Sequence, residues 1–349
     1  MKISLCMIVK NEESNLNRCL KSIYNAVDEI IIVDTGSNDK TKEIAKLYTN
    51  KIYDFKWEND FAKARNYSLS KAKYDYILWL DADDYLTQNN NIKLIKLKEN
   101  AKNDIDFYYF LYNFNENYAP FYRERLFKKN KKAKFKGKVH EAIIPYGKIK
   151  YCDIVITQND NNKPLNKRNL LIYEGMNKKR FSTRDLYYYS RELFRHQKYD
   201  EAITYLNKFL KRNDSYIEDF IDGSIILSKA LYIKNNYNKA LMVLFNTFNY
   251  DIPRINVLNE IANIYYLNED YIKAIYYYKL SYSSISMFKN NSFIAKDQLG
   301  YYQCISLCVC YFKINKYKKS LYYNELAYKY KKDDKLYLNN KKIIEGFLK

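Results

Sequence analysis

Residues 76–84 read Tyr-Ile-Leu-Trp-Leu-Asp-Ala-Asp-Asp, an apolar run followed directly by three carboxylates. A continuous apolar run of this length is typical of a strand buried on both faces of a parallel sheet. Asp81, Asp83 and Asp84 begin where that strand ends. In open sheets with parallel strands, ligands bind beyond the carboxyl ends of the strands. The segment therefore predicts a fold class and also the place of a ligand site.

The remainder of the first half follows the same alternation of strand and helix. Strand patterns occupy Ile3–Val9, Glu29–Val33 and Ile52–Phe55, and helical spacing follows at 16–23, 41–48 and 61–72. Such an order predicts a parallel sheet covered by helices on both faces. Beyond residue 105 the pattern changes to strands joined by polar turns, at Asp106–Tyr112, Arg123–Lys128, Lys134–Ile144 and Lys150–Thr157. We therefore expect an α/β domain with a mixed, mainly parallel sheet.

The second half is helical and repeats. Small residues close a recurring Tyr-x-x-small pattern at Ala202, Ala240, Ala274 and Ser320. Another small residue lies 12 positions before each of them, at Ser190, Ser228, Ala262 and Cys308. Paired small residues let two helices approach closely, and the shortest interval of 34 residues is typical of tetratricopeptide repeats. The longest interval indicates an insertion near 285–296. The polar segment 158–169 marks the boundary, so the predicted domains are 1–160 and 161–349.

Composition narrows the class of partner. The chain has 349 residues, enough for two domains, and a formal net charge of +20 spread over both halves. Lys, Asn, Ile and Tyr are abundant together, as an AT-rich genome favours, and we attribute the charge to that bias. Because no nucleic-acid-binding motif stands out, we expect no nucleic-acid partner. The lysines between Lys128 and Lys138 are interpreted as a solvated face, with an acidic acceptor or peripheral contact with an anionic membrane as the alternative.

Cysteine usage and apolar runs bear on the compartment. The six cysteines include no Cys-x-x-Cys pair, which indicates reduced packing residues of a cytoplasmic protein. The run Ile3–Val9 is too short for a signal sequence, and Tyr301–Phe312 is too short to span a bilayer. We expect a protein without a transmembrane segment.

The three carboxylates after residue 80 indicate a cation. Carboxylates this close repel one another, and a divalent ion relieves the repulsion. Mg²⁺ and Mn²⁺ prefer oxygen ligands and commonly bridge protein carboxylates to substrate phosphates. The alternative interpretation is an acidic loop or a helix N-cap without a ligand.

Four motifs in order resemble the opening of family 2 glycosyltransferases, which have the nucleotide-diphospho-sugar transferase (GT-A) fold. They are Cys-Met-Ile-Val-Lys-Asn-Glu-Glu at 6–13, Val-Asp-Thr-Gly-Ser-Asn-Asp-Lys-Thr at 33–41, Ala-Arg-Asn at 64–66 and Leu-Asp-Ala-Asp-Asp at 80–84. The later motifs Arg-Leu-Phe at 125–127 and Gly-Lys-Val-His-Glu at 137–141 resemble a branch that carries tetratricopeptide repeats. That branch includes bacterial peptide S-glycosyltransferases that modify glycocin bacteriocins, and some envelope-glycan transferases.

The resemblance implies a nucleotide-sugar site. Asn11 and Glu12, at the end of the first strand, would lie near the nucleotide. Asp34, after the second strand, would accept a hydrogen bond from the edge of a uracil base. The implied donor substrate is a UDP-sugar.

The resemblance also implies how the phosphates and the sugar are held. Arg65 and Asn66 would contact the diphosphate or the ribose, since a guanidinium suits phosphate oxygens. Asp81 would face the ribose or the sugar, and Asp83 would bind the metal, Mg²⁺ or Mn²⁺. Related sequences often carry a His after the last strand of the domain, where Gln158 stands here. A His metal ligand at that position is therefore not expected.

Glu141 and His140 are the candidate catalytic residues. Glycosyl transfer needs a base that activates the acceptor, and Glu141 is our candidate. His140 is the alternative, or a metal or diphosphate contact. Adjacent residues of a strand point to opposite faces, so only one of the two would reach the site unless the backbone turns there.

The sequence thus predicts an inverting, metal-dependent enzyme that transfers a hexose or N-acetylhexosamine from a UDP-sugar. The expected acceptor is a Cys or Ser side chain of a peptide or protein held by the repeats. One alternative acceptor is an envelope glycan or lipid-linked saccharide, reached by peripheral attachment to a membrane. The other alternative is a repeat scaffold with a degenerate transferase domain. Repeats of this kind can also form a homodimer.

Overall fold

The computed structural model describes residues 1–101, 104–159, 166–287, 294–332 and 334–349. The chain divides into two compact units, Met1–Met176 and Asn177–Lys349. The boundary expected between residues 160 and 161 lies outside the described residues and stays a prediction.

The first unit is built on one large mixed sheet. Its strands are β1 (Ile3–Val9), β2 (Glu29–Asp34), β3 (Ile52–Asp54), β4 (Tyr76–Trp79), β5 (Asp84–Leu86), β6 (Phe107–Asn113), β7 (Phe121–Lys128) and β10 (Ile149–Gln158). They lie in the order β3-β2-β1-β4-β7-β6-β10-β5. The first four pair in parallel, as do β6 and β10, whereas β7 is antiparallel to both of its neighbours and β5 is antiparallel to β10. The expected mixed, mainly parallel sheet is confirmed.

Helices cover both faces of this sheet. They are α1 (Leu16–Lys21), α2 (Thr41–Lys46), α3 (Phe61–Lys71) and α4 (Gln88–Asn100), and a further helix of this unit is α5 (Arg168–Glu174). Alternate residues of β2 enter two different clusters: Ile30 and Ile32 pack with residues of α1, α2 and α4, and Ile31 and Val33 pack with residues of α3. Burial on both faces explains why the central strands carry unbroken apolar runs.

One strand prediction is wrong. Instead of a continuous strand over Lys134–Ile144, the chain forms β8 (Phe135–Lys136) and β9 (Ala142–Ile143), which pair with each other as a separate two-stranded sheet. The chain turns between them because Gly137 has a φ of 97° and His140 a φ of 52°. The turn places residues 137–141 in a loop.

The second unit consists of paired helices. Its helices are α6 (Thr183–Arg195), α7 (Tyr199–Phe209), α8 (Ile217–Ile233), α9 (Tyr237–Asn246), α10 (Ile255–Leu267), α11 (Tyr271–Ser283), α12 (Tyr301–Lys313), α13 (Tyr317–Tyr330) and α14 (Lys335–Gly346). All eight small residues of the repeat pattern are buried. Each turn within a pair is closed by a residue in the left-handed conformation, Gln197, Asn235, Glu269 or Asn315.

This recurrence confirms a helical, tetratricopeptide-like region. The last pair shows why the small residues recur, since the Ser320 hydroxyl of α13 donates to the backbone oxygen of Cys308 in α12 at 2.8 Å. Residues 288–293, half of the insertion expected near 285–296, lie outside the described residues. Within the described parts of the chain, no helix is both long and apolar enough to cross a membrane.

Candidate active site

The carboxyl ends of β1, β2 and β4 meet at one edge of the sheet. Val9, the last residue of β1, pairs with Asp34, the last residue of β2. Cys6 of β1 pairs with Trp79 of β4, so Ala82, three residues after Trp79, is level with Val9. This parallel register brings the three segments after the strands to the same edge. Most of the polar residues predicted from the sequence lie on these segments.

Asp34 has one carboxylate oxygen occupied and one unpaired. Its Oδ1 accepts from the backbone N–H groups of Gly36 and Ser37, both at 2.9 Å. Its Oδ2 is buried and has no hydrogen-bond partner among the described residues. Gly36 permits this turn because its φ of 107° is readily adopted only by glycine. A fully buried carboxylate with a spare acceptor is suited to an N–H group brought by a ligand.

Asn11 and Glu12 join the segment after β1 to the segment after β2. The Asn11 backbone N–H donates to Ser37 Oγ at 2.9 Å, and Asn11 Oδ1 accepts from the Asn38 N–H at 2.9 Å. The Glu12 N–H donates to Thr41 Oγ1 at 2.7 Å. These two residues therefore build the wall beside Asp34, and their contact with a nucleotide stays a prediction.

Asp84 is an internal anchor of the acidic segment. Its side chain is 0% exposed; Oδ2 lies 3.0 Å from Arg125 Nη1 and accepts from the Asp81 N–H at 2.9 Å. Oδ1 accepts from the Tyr112 hydroxyl at 3.1 Å. Burial raises the pKa of Asp84 to about 6, against the lowering effect of Arg125. The carboxylate fixes the turn from within the domain, whereas Asp81 and Asp83 are only half-buried.

Arg125 is fully buried between two aromatic rings. Its guanidinium carbon lies 4.1 Å from the centre of the Trp79 ring and 4.5 Å from that of Tyr112. Nε and Nη2 have no hydrogen-bond partner within the described chain. The ion pair with Asp84 is therefore the main compensation for burying this cation. The sequence offered Arg125 only as part of a family motif, and its role here comes from the structure.

Arg65 bridges two of the predicted site residues. Its Nη2 lies 2.6 Å from Asp81 Oδ1, and its Nε lies 2.5 Å from Glu141 Oε1. The guanidinium also stacks over Trp79 and Phe135. Burial alone would raise the pKa of Asp81, but Arg65 and other arginines outweigh it and bring that pKa to about 2. Asp81 is therefore a carboxylate at neutral pH.

The loop 137–141 places Glu141 in the site. The Phe61 N–H at the start of α3 donates to the backbone oxygen of Lys138 at 2.8 Å. The Tyr173 hydroxyl of α5 reaches the backbone oxygen of Val139 at 3.4 Å. Since His140 is in the left-handed conformation, the alternation expected of a strand does not apply to the two candidate catalytic residues. Glu141 pairs with Arg65 in this loop.

Asn66 holds the framework beneath the site. Its amide donates to the backbone oxygen of Phe135 and accepts from the Phe135 N–H, both at 2.9 Å. The oxygen and the nitrogen of the Asn66 amide thus both form hydrogen bonds with the backbone of β8. The structure gives Asn66 a positioning role, and its contact with a diphosphate or ribose stays a prediction.

Asp83 and Gln158 meet where β10 ends. Gln158 Nε2 donates to Asp83 Oδ2 at 3.1 Å, and the Asn159 N–H donates to the Asp83 backbone oxygen at 2.8 Å. Among the residues that the structure covers, no group of three or more His, Cys, Asp or Glu side chains could hold a metal ion. A divalent ion at Asp83 would thus be bound by few protein groups together with substrate phosphates and waters, as Mg²⁺ commonly is.

The sheet order, the acidic turn after β4 and the unpaired carboxylate oxygen at the end of β2 define a GT-A-like domain followed by a tetratricopeptide-like region. Residues 4–152 match the model of the glycosyl transferase family 2.

Three curated relatives are similar to parts of the chain. The SPbeta prophage-derived glycosyltransferase SunS of Bacillus subtilis is 31% identical over 263 residues, 67% of this chain and 60% of the relative. A TPR repeat-containing protein of Synechococcus elongatus is 47% identical over 85 residues, 24% of this chain and 21% of the relative. An uncharacterized glycosyltransferase of Rickettsia typhi is 37% identical over 87 residues, 25% of this chain and 30% of the relative. The chain thus spans at most about three fifths of the length of these relatives.

Proposed function

We propose that this protein transfers a hexose or N-acetylhexosamine from a UDP-sugar to a Cys or Ser side chain of a peptide or protein, with a divalent cation, Mg²⁺ or Mn²⁺. The observation that carries the proposal is that Asp34, Asp81 and Asp83 lie at the same edge of the sheet, in a domain that matches family 2. Arg65 joins Asp81 to Glu141 there.

Different residues of the site would bind the base, the diphosphate and the sugar of the UDP-sugar. The unpaired Oδ2 of Asp34 offers an acceptor for the ring N–H of uracil. Arg65 supplies positive charge beside Asp81, where diphosphate and sugar would lie. Asp83, half-buried at the end of the acidic turn, fits a cation that keeps other oxygen ligands. When bound, the cation would neutralise the charge that develops on the leaving diphosphate.

Glu141 would act on the acceptor. Its carboxylate is within reach of Arg65 in a loop held by α3 and α5, so its position is defined before any acceptor binds. In a direct displacement with inversion at the sugar, Glu141 takes the proton from the attacking thiol or hydroxyl. The helical repeats would bind the segment of the peptide or protein around that nucleophile.

The donor proposal is tested with a panel of nucleotide-sugars. Binding stabilises the folded state by mass action, so the correct UDP-sugar with Mg²⁺ or Mn²⁺ should raise the melting temperature. Asp83→Ala should remove the metal-dependent part of the shift and abolish transfer and hydrolysis of the donor. The matched control is Asp153→Ala, whose carboxylate in the same unit is 79% exposed. Unchanged turnover in Asp83→Ala, or no shift with any UDP-sugar, would contradict the proposal.

The acceptor is tested separately, with peptides that carry a single Cys or Ser. Mass spectrometry should show one hexose or N-acetylhexosamine on that side chain. Transfer to a lipid-linked saccharide, with none to peptides, would overturn the proposed acceptor while leaving the donor site intact.

A further inference from the structure

Arg123 is the third guanidinium around the Trp79 ring. Its guanidinium carbon lies 5.1 Å from the centre of that ring and 5.0 Å from the centre of the Tyr112 ring. Arg65 and Arg125 lie 4.7 Å and 4.1 Å from the Trp79 ring, and both form ion pairs with carboxylates. Arg123 is half-buried and has no hydrogen bond or ion pair among the described residues. Aromatic rings therefore hold this cation, and no protein carboxylate in the described chain compensates it.

The register of the sheet places Arg123 beside the acidic turn. β4 and β7 are antiparallel, and Leu78 of β4 pairs with Leu126 of β7. Asp81, three residues after Leu78, is therefore level with Arg123, three residues before Leu126. The charge of Arg123 also acts on the Asp81 carboxylate. Arg123 thus lies at the same edge of the sheet as the predicted site residues.

The order of the strands places Arg123 on the acceptor side of that edge. Four neighbouring strands of the sheet follow one another as β2, β1, β4 and β7. The proposed donor would extend from Asp34 at the end of β2 to Asp81 after β4. Displacement with inversion requires the nucleophile to approach the sugar from the side opposite the leaving group. Since the diphosphate would lie toward β1 and β2, the acceptor would approach from the side of β7, the strand that carries Arg123.

A guanidinium in this setting is suited to a carboxylate. Its planar fork matches the two oxygens of a carboxylate, and stacking on aromatic rings limits the orientations that it can take. A cation that is partly removed from water is stabilised by a counter-ion. Because Asp81 is already paired with Arg65, a carboxylate brought by the acceptor would meet Arg123 without breaking an ion pair of the protein.

We infer that Arg123 selects the acceptor by binding a carboxylate that is close in sequence to the nucleophile. Adjacent strands lie about 4.8 Å apart, and an extended peptide advances about 3.3 Å per residue. A carboxylate on Arg123 and a nucleophile at the sugar beside Asp81 would therefore be within about two residues of each other. The inference rests on the proposed function and narrows its acceptor to peptides with an Asp or Glu near the Cys or Ser that receives the sugar.

Matched pairs of acceptor peptides test the inference. Each peptide carries one Cys or Ser, and the two members of a pair have Glu or Gln at the same position near it. The wild type should have a kcat/KM about 10- to 100-fold higher for the Glu peptide at the best position, as expected for a charge-assisted hydrogen bond. Arg123→Met should remove this preference by slowing transfer to the Glu peptide. Arg123→Lys keeps the charge but not the fork, and it should retain part of the preference.

The matched control is Lys71→Met. Lys71, the last residue of α3 in the same unit, is a half-buried cation that lies 4.9 Å from the centre of the Tyr53 ring and 4.6 Å from that of Tyr67. Its loss should leave the preference for Glu unchanged. The affinity for UDP, measured by calorimetry with Mg²⁺ or Mn²⁺, should be the same for the wild type and Arg123→Met.

The outcomes separate this inference from the proposed function. If the wild type transfers sugar equally well to the Glu and Gln peptides, the inference is overturned and the proposed function stands. If Arg123→Met weakens UDP binding and keeps the preference for Glu, Arg123 contacts the donor diphosphate and the inference is again overturned. If no Cys or Ser peptide receives a sugar from any UDP-sugar, the proposed acceptor fails, and the inference fails with it.

Discussion

Removing Arg125 should leave a buried carboxylate without its counter-ion. Arg125 and Asp84 are both 0% exposed, and the ion pair of 3.0 Å joins them beneath the acidic turn. Breaking a buried pair on one side costs about 3–5 kcal/mol, because the remaining charge stays buried. Methionine is the appropriate replacement, since it keeps most of the packing against Trp79 and Tyr112. We therefore expect Arg125→Met to lose about 3–5 kcal/mol of unfolding free energy at pH 7.

The loss should depend on pH in a defined direction. In the wild type, folding raises the pKa of Asp84 from 3.8 to about 6. The folded state therefore binds this proton more tightly than the unfolded state does. The contribution of Asp84 to the unfolding free energy falls as pH rises from about 3.8 to about 6, and it is constant above pH 6. Without Arg125 the pKa of Asp84 rises further, and the fall continues above pH 6. One pH unit corresponds to about 1.4 kcal/mol for a single proton. The variant should therefore lose about 1.4 kcal/mol more at pH 7 than at pH 5.

Tryptophan fluorescence during unfolding in urea measures the loss of unfolding free energy in the first unit, Met1–Met176. The chain has 2 Trp, Trp57 and Trp79, and both belong to the first unit, so the signal follows the unfolding of that unit. Arg123→Met is the matched control, because Arg123 is half-buried, lies over the same two rings and has no ion pair with Asp84 among the described contacts. A loss below about 1 kcal/mol at pH 7, or a loss that grows toward pH 5, would refute the reasoning.

Two further predictions concern the proposed chemistry. Glu141→Gln should lower transfer about 10²- to 10⁴-fold, since the amide cannot accept a proton, while stabilisation by the UDP-sugar is retained; loss of donor binding in parallel would instead assign position 141 to the donor. Asp34→Asn should weaken UDP binding about 10- to 100-fold. The amide oxygen must accept from the Gly36 and Ser37 N–H groups. The amide nitrogen then faces the uracil N–H, and two donors oppose each other. Calorimetry should show a smaller loss for CDP, and an equal loss for both nucleotides would rule out contact with the base.

The architecture follows from the sequence because its signals are local. Burial on both faces requires apolar runs, which occur in Ile3–Val9, at 30–33 and in Tyr76–Trp79. These runs predicted the central strands within one or two residues. Pairs of small residues 12 positions apart predicted the helix pairs, since only small side chains allow such an approach. The edge of the sheet where the predicted polar residues gather followed too, because the carboxyl ends of parallel strands share one edge.

The roles of the three acids after β4 depended on the tertiary structure. In the sequence, nothing distinguishes the roles of Asp81, Asp83 and Asp84. In the structure, Asp81 forms an ion pair with Arg65, and Asp83 accepts a hydrogen bond from Gln158. Asp84 forms a buried ion pair with Arg125. These partners come from α3, β10 and β7, far away along the chain. No pattern of neighbouring residues encodes which partner each carboxylate meets.

The loop that carries Glu141 was also decided by the tertiary structure. Alternation over Lys134–Ile144 favoured a strand, and two residues with positive φ, Gly137 and His140, end it. The new direction is held by the Phe61 N–H of α3 and the Tyr173 hydroxyl of α5, which contact backbone oxygens of the loop far away along the chain. The sequence by itself determined the sheet, the repeats and the edge where the polar residues gather, because burial and strand order act locally. Which oxygen of that edge stays unpaired, and which residue meets which partner, was decided only by the packing of distant segments.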